Sequence, residues 1–85
     1  MRMQYIRIVE FIIKYGSITQ AAASKFISVS KLATRIGEME RKYGLVFHRE
    51  FETGKNQFGE DVRFMRYYLS QGEIAKWRKL TAIIG

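Results

Sequence analysis

The regular spacing of apolar residues between glycines indicates the secondary structure of most of this chain. Glycines such as Gly16, Gly44 and Gly72 divide the sequence into segments. Within most of these segments apolar side chains recur every three or four residues, which is the period of an α-helix. No proline occurs anywhere in the chain, so none of these segments contains the residue that breaks helices most strongly. The pattern predicts a mainly α fold.

The first helix is predicted over residues 3–15. Its apolar side chains form two rows, so more of its circumference is apolar than a one-sided surface helix needs. We therefore expect one row to face the core and the other to face a second surface. The first row consists of Ile6, Val9 and Ile13, and the second of Ile8, Phe11 and Tyr15.

Two short helices with a brief connection are predicted next, over residues 17–42. Ser17 and Gln20 have the spacing of a capping box, which opens a helix ending near residue 24 or 25. Ser28 is predicted to cap a following helix that ends at residue 42 or 43, before Gly44. That helix would bury Leu32, Ile36 and Met39. Two short helices so joined predict a helix-turn-helix.

A β-wing and further helix are predicted after Gly44. Residues 45–47 and the stretch near Phe51 are apolar and aromatic, and residues 53–56 have turn composition, so two short strands are expected. From residue 57 a helix is predicted with Phe58, Val62, Met65 and Leu69 on one stripe. A second amphipathic segment would carry Ile74, Trp77, Leu80 or Thr81, and Ile84. This segment is expected to close a dimer, and binding to a membrane surface is the alternative. The predicted fold is thus a winged helix-turn-helix over residues 1–56, with a three-helix core and a short β-wing. A carboxy-terminal linker and dimerisation helix over 57–85 would pack on the same unit.

The charge of the chain indicates its class of partner. Eighty-five residues are enough for one core, and they carry a net charge of +7. A folded domain this basic commonly binds a polyanion, most often nucleic acid, although a merely solvated basic surface is the alternative. No cysteine occurs, which excludes disulfides and thiolate metal sites. No apolar run is long enough to span a membrane, so a cytoplasmic, nucleoid-associated protein is expected.

Several residues together resemble the amino-terminal domain of LysR-type transcriptional regulators. They are Gly16-Ser-Ile-Thr-Gln-Ala-Ala22, Ile27-Ser28, Leu32, Ile36, Met39-Glu40, Tyr43-Gly44 and Val46-Phe47-His-Arg49. The resemblance is closest over residues 16–49 and extends loosely to residue 69. It implies binding to double-stranded DNA and homodimerisation. Lys25 stands where that family has a core leucine. No small-molecule effector domain is expected, because these residues do not include that family's large effector-binding domain.

Candidate DNA-binding residues follow from helix geometry and from the resemblance. Helix amino termini favour phosphate, and the face opposite Leu32, Ile36 and Met39 is expected to enter the major groove. The resemblance places two further basic residues beside the wing. The full set is Ser17, Thr19, Ser28, Val29, Ser30, Lys31, Ala33, Thr34, Arg35, Arg49 and Lys55.

A homodimer interface is predicted from apolar residues that one small core cannot all bury. Packing within the domain is the alternative for the stripe that begins at Phe58, but the second row of the first helix favours a two-fold contact. The predicted interface consists of Ile8, Phe11, Tyr15, Phe58, Val62, Met65 and Leu69.

An enzyme, a metal site and a cofactor are not expected. The chain has one histidine and no nucleophile–base pair or glycine-rich phosphate loop. Glu38 and Glu40 are two residues apart, so on a helix their side chains diverge. The predicted function is a sequence-specific transcriptional regulator that acts on DNA as a homodimer. The alternatives are an architectural, excisionase-type factor from a phage or mobile element, and a winged-helix protein-interaction module.

Overall fold

The structure is a computed structural model that describes the backbone of residues 1–84 and the side chains of residues 1–82. Its first helix, α1, spans Met3–Tyr15, as the sequence predicts. It ends at Gly16, whose φ of 91° is in the left-handed region that favours glycine. The face that α1 buries combines parts of both predicted rows: Tyr5, Ile8, Val9 and Ile12. Residues at these spacings lie on a single side of a helix. The predicted place of Ile8 in a dimer interface is therefore wrong, because its side chain is fully buried in the core.

Two helices follow a short strand. Strand β1 is Ile18–Thr19, helix α2 is Gln20–Ile27, and helix α3 is Leu32–Tyr43. The cap of α2 is Thr19 and not Ser17, because the Thr19 hydroxyl accepts a hydrogen bond from the Ala22 N–H at 3.3 Å. The predicted cap role of Ser28 is also wrong. Ser28 ends α2 in a left-handed conformation with φ 57°, whereas an amino-terminal cap needs an extended backbone.

A long hairpin replaces the predicted helix from residue 57. Strands β2, His48–Lys55, and β3, Asp61–Tyr68, pair antiparallel along their whole length, and β1 pairs with the other edge of β3. At the hairpin tip the Asn56 side-chain oxygen accepts from the N–H groups of Phe58 and Glu60. The predicted boundary after residue 56 falls in this turn, and the predicted turn at residues 53–56 lies mostly inside β2. Residues 45–47, predicted as a strand, lie outside the sheet.

The last helix, α4, spans Gln71–Ile84. Ile74 and Trp77 are buried, so the amphipathic segment predicted around Trp77 packs on the core of its own chain. The predicted contribution of Ile84 lies outside the described side chains. None of the helices in the described part of the chain is long and apolar enough to cross a membrane.

Over residues 1–84 the architecture is thus four helices and a three-stranded antiparallel sheet around one core. The predicted apolar stripe of a dimerisation helix does not form. Leu69 is buried at the end of β3, Met65 packs partly against the core, Val62 is half-buried, and Phe58 lies 77% exposed at the hairpin tip. The core residues are Tyr5, Ile8, Val9, Ile12, Ile18, Ala23, Val29, Leu32, Ile36, Met39, Leu45, Phe47, Tyr67, Leu69, Ile74 and Trp77.

Candidate nucleic-acid interface

The connection between α2 and α3 is held by a single amide side chain. Gln20 donates from Nε2 to the Val29 carbonyl and accepts from the Leu32 N–H at Oε1, both at 2.8 Å. These bonds satisfy a carbonyl in the turn and the first N–H of α3, which a helix leaves without an internal partner. Gln20 therefore fixes α3 relative to α2, and its predicted part in a capping box with Ser17 is wrong.

The amino-terminal end of α3 presents a small polar surface. Ser30, Lys31, Ala33 and Thr34 are all exposed, as predicted for residues that contact DNA. The predicted contact by Val29 is wrong, because its side chain is fully buried in the core. The turn thus places the Val29 side chain in the core and leaves the neighbouring Ser30 side chain exposed.

Arg35 is held inside a network between α3 and α1. Its guanidinium donates to Glu38 Oε1 at 2.7 Å, and the Arg35 side chain is only 16% exposed. The same oxygen accepts from the Tyr5 hydroxyl at 2.8 Å and from Arg2 at 3.4 Å. The Tyr5 hydrogen bond first, and the guanidinium groups after it, lower the pKa of Glu38. Glu38 thus fastens α3 to α1 through Tyr5, and Arg35 binds Glu38 within α3, a role that was not predicted from the sequence.

Arg49 makes a similar link between α3 and the hairpin. It forms a two-pronged ion pair with Glu40, at 2.6 and 3.0 Å, and donates to the Phe47 carbonyl at 3.0 Å. The Arg49 hydrogen bond lowers the pKa of Glu40, and the N–H of Phe47 adds to this effect. The same pair raises the pKa of Arg49. Arg49, which was predicted to contact DNA, is therefore already bound to Glu40 and Phe47 at the base of the hairpin.

The remaining predicted residues lie at three separate places. Lys55, near the hairpin tip, pairs with Asp61 at 2.6 Å, but both side chains are largely exposed, and such pairs bind weakly in water. Ser17 accepts a hydrogen bond from Arg66 at 2.9 Å. Thr19 caps α2 with its hydroxyl, and Ser28 is exposed in the turn.

Two residues of α3 that were not predicted share its outer face. Gly37 and Arg41 follow Thr34 by three and seven positions, so the three lie along one side of the helix. A Cβ on Gly37 would approach the Arg41 Nη1 atom to 3.4 Å, so the guanidinium crosses this glycine. The spacing from Thr34 could have identified Arg41 in the sequence. The helix-internal glycine was noticeable as well, because it costs up to about 1 kcal/mol relative to alanine.

No protein-family model, curated protein or solved structure gives a significant match to this chain. Its function is therefore inferred from its own residues and geometry. Among residues 1–84, no three side chains of the metal-ligating types come together.

Proposed function

We propose that this chain is a winged helix-turn-helix protein that binds double-stranded DNA and controls transcription. In this proposal α2, the turn and α3 are the helix-turn-helix, and the hairpin of β2 and β3 is the wing. The observation that carries the proposal is the exposed surface of Ser30, Lys31, Ala33 and Thr34 at the start of a helix whose position Gln20 fixes. A major groove about 12 Å wide admits such a helix.

Charge supports the same proposal. The net charge of +7 favours a phosphate backbone, and Lys31 and Arg41 provide cations on exposed positions of α3 or its cap. Small hydroxyl and methyl groups at Ser30, Ala33 and Thr34 suit hydrogen bonds to base edges and contacts with thymine methyl groups. The resemblance to LysR-type regulators agrees with this arrangement and remains part of the proposal, as does an association with the nucleoid.

The homodimer also stays a prediction. Of its seven predicted residues, Ile8 and Leu69 are buried within the protomer. Phe11 and Tyr15 lie on α1. Phe58 lies at the hairpin tip, so it does not form the expected helical stripe with Val62, Met65 and Leu69. A two-fold symmetric footprint together with sedimentation as a dimer would confirm the dimer. A monomer that protects a single half-site tightly would contradict it.

The proposal is tested by measuring DNA affinity against salt concentration. A homodimer with about 6–10 phosphate contacts should lose roughly 10³–10⁵ in affinity between 50 and 200 mM salt. Lys31→Ala should weaken binding to all sequences, whereas Lys79→Ala, which removes an exposed cation on α4, should have little effect. Thr34→Ala should change the sequence selected from a random DNA pool and leave nonspecific affinity nearly intact.

Three results would contradict the proposal: no measurable DNA binding, affinity independent of salt, or equal effects of Lys31→Ala and Lys79→Ala. The footprint separates the two DNA-binding alternatives. A transcriptional regulator should protect a pseudo-palindrome near a promoter, whereas an excisionase-type factor should protect direct repeats near an attachment site.

A further inference from the structure

A surface groove lies between α1, α2 and β3. It has a volume of about 690 Å³, within the range of ligand-binding clefts, and no residue of α3 or of the hairpin tip lines it. The groove is therefore separate from the proposed reading surface at the start of α3, and of the predicted DNA-binding residues only Ser17 and Thr19 line it. Its lining residues are Arg7, Glu10, Phe11, Lys14, Tyr15, Ser17, Thr19, Ala22, Phe26, Ile27 and Arg66.

Three aromatic rings form the apolar part of the groove. The ring centroids of Phe11 and Tyr15 are 4.6 Å apart, and Phe11 stacks on Phe26 with centroids 6.2 Å apart. Tyr15 is 62% exposed and Phe26 is 64% exposed. Clustered exposed rings are uncommon on a small domain and are the residue type that anchors protein interfaces. They are already packed against one another, so a partner would bind a largely ordered surface.

Positive charge borders these rings. The Lys14 ammonium lies 5.3 Å from the centre of the Tyr15 ring, and the Lys25 ammonium lies 5.3 Å from the centre of the Phe26 ring. Arg7 also lines the groove. Within the described part of the chain none of these three cations forms an ion pair, and Glu10 is the one acid that lines the groove.

The charge decides between possible occupants. A second copy of this chain also has a net charge of +7, so a symmetric contact here, as predicted for Phe11 and Tyr15, would join two basic surfaces. Duplex DNA would satisfy the cations but presents no apolar side chains to cover Phe11, Tyr15 and Phe26. A partner that satisfies both features has apolar side chains flanked by carboxylates.

We propose that this groove docks an acidic amphipathic segment of another protein. Apolar side chains of that segment, spaced three and four residues apart, lie among the rings of Phe11, Tyr15 and Phe26. Its aspartates and glutamates lie against Lys14 and Lys25. This is the helix-in-groove mode of peptide recognition, with opposite charges at the rim setting orientation and association rate.

The probe is a phage-displayed library of random peptides of helix-forming length, ~15 residues, selected on the full chain. Recovered peptides should be rich in aspartate and glutamate, with apolar residues at helical spacing. Synthetic versions should bind Phe26→Ser at least about tenfold more weakly than they bind the wild type. Truncation of a central aromatic side chain is among the interface changes that cost the most binding affinity. Phe51→Ser, which removes an aromatic residue 72% exposed on the hairpin, is the matched control and should bind as the wild type does.

Charge is tested separately with Lys14→Gln combined with Lys25→Gln, which should weaken peptide binding and reduce its dependence on salt. The circular dichroism spectrum and the DNA affinity of Phe26→Ser should match those of the wild type. The peptide measurement uses no DNA, so it stays interpretable if the DNA-binding proposal fails. Several outcomes would overturn the docking proposal. They are recovery of no acidic amphipathic peptides, equal binding by Phe26→Ser, or competition between duplex DNA and the peptide for the groove. A wild-type dimer that Phe26→Ser converts to monomers would assign the groove to a second copy instead.

Discussion

At the scale of single residues, position on α3 separates side chains with different tasks. Thr34, Gly37 and Arg41 lie along the outer face. Arg35 is instead bound to Glu38 within α3, and Glu40 is bound to Arg49 at the start of the hairpin. Both sets are polar, and helical spacing alone cannot distinguish a free cation from one that is bound by a carboxylate. Arg49 was predicted as a DNA contact from the family resemblance, which does not reveal its carboxylate partner Glu40, while Arg41 was overlooked.

Gly37→Ala should raise stability and lower DNA affinity at the same time. Alanine in a helix interior is up to about 1 kcal/mol more favourable than glycine. Its Cβ would meet the flexible end of Arg41 at 3.4 Å and shift the guanidinium. Arg41→Ala should lower affinity without the gain in stability. The checks are urea unfolding and DNA titration.

Gly72→Ala is the matched control for this substitution. Gly72 lies in the first turn of α4, where a Cβ would meet the Ser70 hydroxyl at an ordinary 3.8 Å. The Gly72→Ala substitution should leave DNA affinity unchanged. If Gly37→Ala and Arg41→Ala bind DNA as the wild type does, the outer face of α3 is not the reading surface.

At the scale of elements, the hairpin contains residues whose spacing fits a helix but whose types favour a strand. Phe58, Val62, Met65 and Leu69 recur at helical intervals, but residues 61–68 are also rich in the β-branched and aromatic types that favour strands. Pairing with β2 decides the outcome, because each residue of β3 gains a partner across the ladder, as Met65 does with Phe51. Those partners lie far away in the sequence, beyond the reach of a local pattern.

Trp77→Ala should destabilise the chain by about 3–5 kcal/mol, as expected for loss of a large buried aromatic side chain. Trp77 is 1% exposed and fixes α4 to the core. Arg78→Ala removes an exposed neighbour on the same helix and should change stability by less than about 0.5 kcal/mol. Chemical denaturation with urea gives both values. Equal stability of the two variants would mean that α4 does not pack as described.

At the scale of the whole molecule, two carboxylates connect separate parts of a strongly basic chain. Glu38 joins α3 to α1 and to Arg2, and Glu40 joins α3 to the start of the hairpin. The pKa of each is lowered in the folded state by hydrogen bonds and neighbouring guanidinium groups. Protonation would remove the carboxylate charge from both links and increase the net positive charge of the chain. Both effects lower the stability of the fold.

Stability should therefore fall in acid. A carboxyl whose pKa is lowered on folding contributes its full stability above its unfolded pKa, about 4.3 for glutamate. It loses that contribution as pH falls through the lower, folded value. Glu40→Gln should be less stable than the wild type at pH 7, and the difference should shrink toward pH 3. Thermal unfolding followed by circular dichroism measures both trends.

Glu10→Gln is the control for the acid effect, because Glu10 makes no ion pair within the described part of the chain. Its stability difference from the wild type should be small at either pH. A Glu40→Gln difference that stays constant from pH 7 to pH 3 would show that the carboxylate charge contributes nothing to the link with Arg49.

Several elements could be predicted from the sequence because their signals are local. The bounds of α1, the buried row of Leu32, Ile36 and Met39, and the ends of two helices at Gly16 and Gly44 all follow from helical spacing and from glycine's tolerance of positive φ. The exposed residues at the start of α3 could be identified in the same way, because they lie opposite a buried row. Such features depend on contacts within about one turn of helix, which a sequence pattern records.

Other features depend on contacts between residues far apart in the sequence and could not be predicted from it. Residues 61–68 form a strand because β1 and β2 pair with both edges of β3. Val29 is buried because Gln20, nine positions earlier, holds the turn that carries it into the core. Arg49 is bound because the chain returns to bring Glu40 beside it. In each case the deciding contact is made in space between residues that local periodicity treats as independent, so no spacing along the chain could have predicted it.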